Sequence, residues 1–241
     1  MTGSSDDVVP VAAPARVPVQ GGGTFPVRRI YCVGRNFADH AREMGADAPA
    51  SKADRGTPVF FAKPADAIVT TGEVPYPTAT RDLHHEVELV VAIGRDAPAG
   101  DVSVDAASAL VYGYAVGLDL TRRDLQAAAK AKGLPWDIAK GFDASAPIGP
   151  LVPAAGIGAL GGRTLSLQVN GALRQTASLD QMIWDVPEIL HELSKLFALR
   201  AGDLVFMGTP AGVAALQPGD ICEARLDDVL ALHCKITSPS L

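Results

Sequence analysis

Two glutamates one residue apart, Glu86 and Glu88, stand at the head of the apolar run Leu89-Val90-Val91-Ala92-Ile93. The run closes at Gly94 and reads as a buried strand. A strand repeats every two residues, so both carboxylates share one face, with Val87 and Leu89 opposite. Carboxylates side by side at a buried strand repel each other and lose hydration. They need a cation, a shared proton or a solvent-filled cleft. The alternative is a strand end still in water, carrying two ordinary surface glutamates. A third carboxylate, Asp119, closes the apolar strand expected over 111–118. No cysteine or paired histidine ligand lies near, so the three acids suit a hard divalent ion: Mg²⁺, Mn²⁺ or Ca²⁺. His84 falls on the Glu86 face by parity. Imidazole is a softer donor, and a structural or positioning role is expected for it.

Three further stretches carry chemistry. His40 and Glu43 are spaced i and i+3 on an expected helix, so they share a face. A carboxylate that fixes a histidine ring and stabilises its cation makes a general base for water. An exposed ion pair on a short helix has the same spacing. Lys140 sits among small and apolar residues in Asp137-Ile138-Ala139-Lys140-Gly141. A partly desolvated lysine near carboxylates can hold an oxyanion or move a proton, unless it snorkels to water. In Gly208-Thr209-Pro210-Ala211-Gly212, glycines let backbone N–H groups approach an anion and Thr209 adds a hydroxyl. A plain turn is the other reading.

Strands dominate among the elements that must position these groups. The residues up to Thr24 are rich in Ser, Ala, Pro, Val and Gly, and read as a flexible arm over 1–24 or one ordered only by docking. A domain over 25–241 follows. Arg28 to Val33 is a strand, and Asn36 is expected to cap a helix from Phe37 to about Met44. The polar stretch 45–57 reads as a mobile loop, a candidate lid beside His40. Residues 58–62 are a strand stopped by Lys63-Pro64, and 101–109 a short helix. A helix from Thr121 to about Ala131 carries Arg122, Arg123 and Gln126 in its first turns. Leu165 to Val169 alternates, and Asn170-Gly171 turns it into a hairpin. Asp185 and Glu188 look like a capping box, opening a helix whose core face is expected to hold Ile189, Leu190, Leu193, Leu196 and Phe197. His191 on it is expected to be structural. A strand over 204–207 precedes Gly208, and the last two strands hold Cys222 and Cys234.

Bulk composition fits a globular protein with an ample core: 241 residues, 48% hydrophobic and 20% charged. A net charge of −6 argues against nucleic acid as a partner. The three cysteines lack CxxC spacing, which fits a reducing cytoplasm. No basic leader with an apolar core and no long apolar stretch is present, so neither export nor a membrane partner is expected.

The motifs in chain order resemble the fumarylacetoacetate hydrolase family. The resemblance runs through Tyr31-Cys32-Val33-Gly34-Arg35-Asn36-Phe37-Ala38-Asp39-His40 and His84-His85-Glu86-Val87-Glu88-Leu89. It continues in Gly117-Leu118-Asp119-Leu120-Thr121-Arg122-Arg123-Asp124, Gly133-Leu134-Pro135-Trp136 with Lys140, and Gly208-Thr209-Pro210. It implies an α+β, mainly β fold, a mixed β-roll with a few peripheral helices, paired as a homodimer. It implies Mg²⁺ or Mn²⁺ on Glu86, Glu88 and Asp119, a catalytic dyad of His40 and Glu43, and an active-site Lys140. Arg123, Gln126 and Thr209 fall on family substrate positions. Phe37 stands where many relatives have tyrosine, so it is assigned no catalytic role.

The small-molecule partner implied is a 2,4-dioxo acid, hydrolysed at a C–C bond. Phe25-Pro26-Val27-Arg28-Arg29-Ile30 and Lys63-Pro64-Ala65-Asp66-Ala67 resemble the branch that splits fumarylpyruvate into fumarate and pyruvate. The second carboxylate of a fumaryl group needs cationic contacts, for which Arg35, Arg123 and the loop after the first helix are candidates. Acylpyruvases, oxaloacetate decarboxylases and isomerases of the family share these motifs. A non-enzymatic, carboxylate-rich metal-binding domain is the reading from another class.

Overall fold

The computed structural model describes residues 8–10, 12–45, 47 and 49–239. Its centre is a six-stranded mixed sheet in the order Val152–Pro153, Val111–Leu118, Val87–Ile93, Asp203–Phe206, Arg29–Gly34, Val59–Lys63. Neighbours are antiparallel except Asp203–Phe206, which runs parallel to Arg29–Gly34. A five-stranded sheet orders Ala172–Ser178, Thr164–Val169, Ile221–Leu226, Leu230–Thr237 and Glu73–Pro75. The fold is α+β and mainly β, as expected.

The run from Leu89 to Ile93 is continuously apolar because both faces of its sheet are covered. Leu89, Val91 and Ile93 join a core shared with Leu165, Leu167 and Ala224 of the second sheet. Val90 and Ala92 face a smaller core with Cys32, Ala115, Ile148 and Phe206. Glu88 shares the parity of this second face. No helix among the described residues is long and apolar enough to cross a membrane.

Residues 1–7 and 11 of the expected arm lie outside the described residues. From Arg16 the chain is ordered by docking: Arg16–Pro18 pairs with Thr24–Pro26, and Val17 is fully buried. The glycines between them, all at positive φ, make the turn. The Asn170-Gly171 hairpin and the Asp185/Glu188 capping box form as expected.

Other elements depart from expectation. Asn36 is not a helix cap: the helix spans Ala38–Glu43, and its N-cap is Phe37 without a side-chain bond. Asn36 is instead fully buried, donating to Trp184 O (2.9 Å) and Met207 O (2.7 Å) and accepting from Trp184 N–H (2.8 Å). The helix expected from Thr121 begins at Arg123, because Thr121 and Arg122 pair with His84 and Leu83 as a short bridge. The capped helix ends at Ser194, which leaves Leu196 and Phe197 63% and 41% exposed rather than in the core. In the stretch expected as a mobile loop, residues 46 and 48 lie outside the described residues. Its far end is anchored: Arg55 grips Glu188 with two 2.9 Å bonds and lies 3.6 Å from the Trp184 ring centre.

Candidate active site

Strand register builds the acid cluster. Glu88 pairs with Gly117, and Asp119 N–H donates to Glu86 O at 2.8 Å. The carboxylate oxygens of Glu86, Glu88 and Asp119 lie within 4.8 Å of one another, and all three residues are buried. Burial and the neighbouring Asp119 and Glu86 push the Glu88 carboxyl well above its usual range; the Gly208 N–H at 2.7 Å offsets this only in part. Burial acts the same way on Glu86, but Lys140 and then Arg123 outweigh it and hold that carboxyl far below its usual range. Burial would discharge Lys140, yet Asp119 and Glu86, at 2.6 and 2.7 Å, keep it an ammonium.

Asp119 Oδ1 is buried and accepts no hydrogen bond. Lys63 Nζ lies 2.8 Å away, an ionic contact whose direction is not that of a hydrogen bond. A buried carboxylate oxygen without a donor, beside two more carboxylates, is a donor set that fits a hard divalent cation. Gly208 must be glycine here. Its φ is +91°, and a Cβ would lie 2.7 Å from Asn36 Cβ.

His40 Nδ1 lies 3.2 Å from Glu43 Oε2, and Gly212 N–H donates to Glu43 at 3.1 and 3.2 Å. Burial lowers the pKa of His40 against the pull of Glu86 and Glu43, so the ring is uncharged near neutrality. Arg123 binds Glu86 at 2.5 Å and Gln126 at 2.6 Å, and its Nε–H donates to His84 Nδ1 at 3.4 Å. His84 bonds Asp82 at 2.9 Å through its other nitrogen and stands outside the carboxylate triad. Arg35 takes a positive φ of 59°, an uncommon conformation for a side-chain-bearing residue. Arg35, His40, Arg123, Gln126, Lys140 and Thr209 line one cleft with the three carboxylates. Glu43 stands behind His40.

Sequence reasoning missed two residues at the site. Lys63, read as a strand stop, is buried; its ammonium contacts Asp119, Leu120 O (3.1 Å) and Lys140 O. Gln175, on a hairpin read as purely structural, is buried against the cleft loop and bonds Thr209. Hairpin parity holds the signal for Gln175, because its register partner Leu167 faces the core.

A buried carboxylate triad fit for a divalent ion, with a histidine–carboxylate dyad and a lysine in the same cleft, defines an enzyme class that joins acid–base chemistry to a metal. The family model described as fumarylacetoacetate (FAA) hydrolase C-terminal matches residues 29–237, and the chain belongs to that family. It is similar to bovine (Bos taurus) mitochondrial oxaloacetate tautomerase FAHD1, 43% identical over 88% of this chain and 93% of the relative. It is also similar to the mitochondrial oxaloacetate decarboxylase of Dictyostelium discoideum, 39% identical over 83% and 88%. The crystal structure of Pseudomonas aeruginosa fumarylpyruvate hydrolase in complex with Mn²⁺ and pyruvate is 46% identical, with a TM-score of 0.90. That match covers 97% of this chain and all of the other.

Proposed function

We propose that the chain is a divalent-metal-dependent hydrolase that cleaves the C–C bond of a 2,4-dioxo acid, with fumarylpyruvate as substrate and fumarate and pyruvate as products. The observation that carries this is the His40–Glu43 dyad, its imidazole uncharged by burial, opening on the same cleft as the carboxylate triad and Lys140. Hydrolysis needs a base for water, and the dyad supplies one. The Mn²⁺ and pyruvate in the P. aeruginosa enzyme support the cofactor and the product.

Glu86, Glu88 and Asp119 would hold Mg²⁺ or Mn²⁺. The ion would supply Lewis-acid polarisation of the 2-oxo acid end. His40, oriented by Glu43, takes a proton from water as the oxygen adds to the distal carbonyl carbon. Lys140 presents an ammonium to the oxyanion that forms. The bond between the distal carbonyl carbon and the pyruvyl CH₂ then breaks. Its electron pair passes to the pyruvyl carbon, which recovers a proton from His40. Arg123, Gln126 and Thr209 bind the substrate carboxylate and oxo groups, and Arg35 faces the acyl end.

The bovine and Dictyostelium relatives favour a second reading, in which the same cleft tautomerises or decarboxylates oxaloacetate. Those reactions need no attacking water. Absorbance loss of fumarylpyruvate with Mg²⁺, run beside acetylpyruvate and oxaloacetate, separates the two. Loss of fumarylpyruvate that EDTA abolishes is expected; turnover of oxaloacetate alone would replace hydrolysis by the second reading. The domain over 25–241 carries this activity. Three free, buried cysteines support a cytoplasmic setting, and exposed Leu134, Ile138 and Leu196 offer apolar surface for a homodimer.

A further inference from the structure

Gln175 belongs to none of the motifs quoted above, yet its amide is the hub of a buried network. Its side chain crosses from the five-stranded sheet to the cleft loop. Oε1 accepts from Val87 N–H at 3.1 Å, and Nε2 donates to Pro210 O at 2.8 Å. Both partners are backbone groups of fixed polarity, so the amide has one orientation. His85 Nδ1, 2.8 Å from Oε1, must then carry a proton. The second Nε2 proton goes to Thr209 Oγ1 at 2.8 Å. Thr209 is 2% exposed and lines the cleft beside the carboxylates. Its oxygen is occupied as an acceptor on the protein side. Its own proton has no protein acceptor among the described residues.

We infer that Gln175 is a positioning residue: by donating to Thr209 Oγ1 it turns the threonine proton into the cleft, to meet an anionic oxygen of the 2-oxo acid. This rests on the proposed reading of the cleft. Val87 lies between Glu86 and Glu88, so the same amide also ties the register of the acid strand to the position of Thr209.

The test is a double-mutant cycle read by calorimetric titration of pyruvate into Mg²⁺-loaded protein. Q175E keeps Oε1 for Val87 and His85 but withdraws the donor from both Thr209 and Pro210 O, and the Thr209 proton then turns back onto residue 175. T209V and Q175E should each weaken pyruvate about tenfold to a hundredfold, the worth of one charge-assisted hydrogen bond. T209S should restore binding, and the double variant should bind no more weakly than the worse single one. Affinity for Mg²⁺ should stay within about threefold in Q175E, which separates positioning from damage to the acid strand. If Q175E does not fold, Q175M takes its place in the cycle. Additive losses, a fall in pyruvate affinity that tracks a fall in Mg²⁺ affinity, or T209V binding pyruvate like the unaltered protein would each overturn the inference. Failure of the unaltered protein to bind pyruvate would overturn the reading of the cleft, and this inference with it.

Discussion

Replacing Asn36 by leucine should cost far more than the loss of a helix cap. Asn36 is fully buried and serves three backbone groups: Trp184 N–H, Trp184 O and Met207 O. Leucine has the same branched heavy-atom skeleton and larger terminal groups, so no cavity forms, but one donor and two acceptors lose a partner inside the core. A buried unpaired group costs about 1–3 kcal/mol, so the three groups together come to roughly 3–9 kcal/mol. For a chain of this size 1 kcal/mol moves Tm by about 2–4 °C, so a fall of roughly 6–36 °C is expected. A cap would account for only about 0.5–2 kcal/mol. Thermal melts by circular dichroism, paired with urea titration, measure the difference. N36D sharpens the test. It keeps an acceptor for Trp184 N–H but sets a carboxylate against two carbonyls. Folding must therefore raise its pKa above the unfolded value of about 3.9, and its stability relative to wild type falls as pH rises above that value. N36D should sit closer to wild type at pH 4 than at pH 7. An N36L variant within about 1 kcal/mol of wild type would refute the reasoning.

Three other variants, and the pH dependences tied to two of them, have expected outcomes. E86Q should weaken Mg²⁺ binding at least about 100-fold, since partners that merely orient ligands are worth about 10–100-fold, and hydrolysis should fall with it; normal metal content with full turnover would contradict the assignment. H40A should lower kcat on fumarylpyruvate by about 10²–10⁴ while sparing oxaloacetate turnover. Because burial lowers the His40 pKa from 6.5, the neutral base persists to lower pH, so the acid limb of kcat/KM should lie below pH 6.5; a midpoint at or above that value counts against His40 as the base. R55M should speed tryptic cleavage after Lys52 several-fold, because it frees the loop from Glu188. Burial tends to raise the Glu188 carboxyl, but the Arg55 bonds bring it down to about 2, so the same loosening should appear in the unaltered protein only as pH falls from about 4.5 towards 2.

What was legible in the sequence was whatever depends on neighbours in the chain. Period-two parity put Glu86 and Glu88 on one face, and an apolar run ending in a polar residue marked Asp119. Turn and cap chemistry located the Asn170-Gly171 hairpin and the Asp185 helix. Asn36 looked like a cap because asparagine before an apolar helix usually is one; its real partners, Trp184 and Met207, are 148 and 171 residues away. Lys63 was hidden for the same reason. A lysine before a proline resembles a strand end, and only the packed sheet brings it to Asp119. Leu196 and Phe197 continued the helical period on paper, but the helix had already stopped at Ser194. Local period does not say where a helix runs out of core to cover.

The place of Asp203–Phe206 in the sheet sets the order in which the protein can be made. This strand lies between Val87–Ile93 and Arg29–Gly34, both of which leave the ribosome well before it. At about 5–20 residues per second, the slot it fills stays open for roughly 10 s or more after Arg29–Gly34 emerges. During that wait two apolar strand edges have no partner, and they are the natural targets of a chaperone or of mispairing. Gly208 and Thr209 follow the inserted strand directly, so one late segment both closes the sheet and finishes the cleft. A chain stopped short of residue 203 therefore lacks the plug of its own sheet and the threonine of its own site. It has no halfway state in which to work.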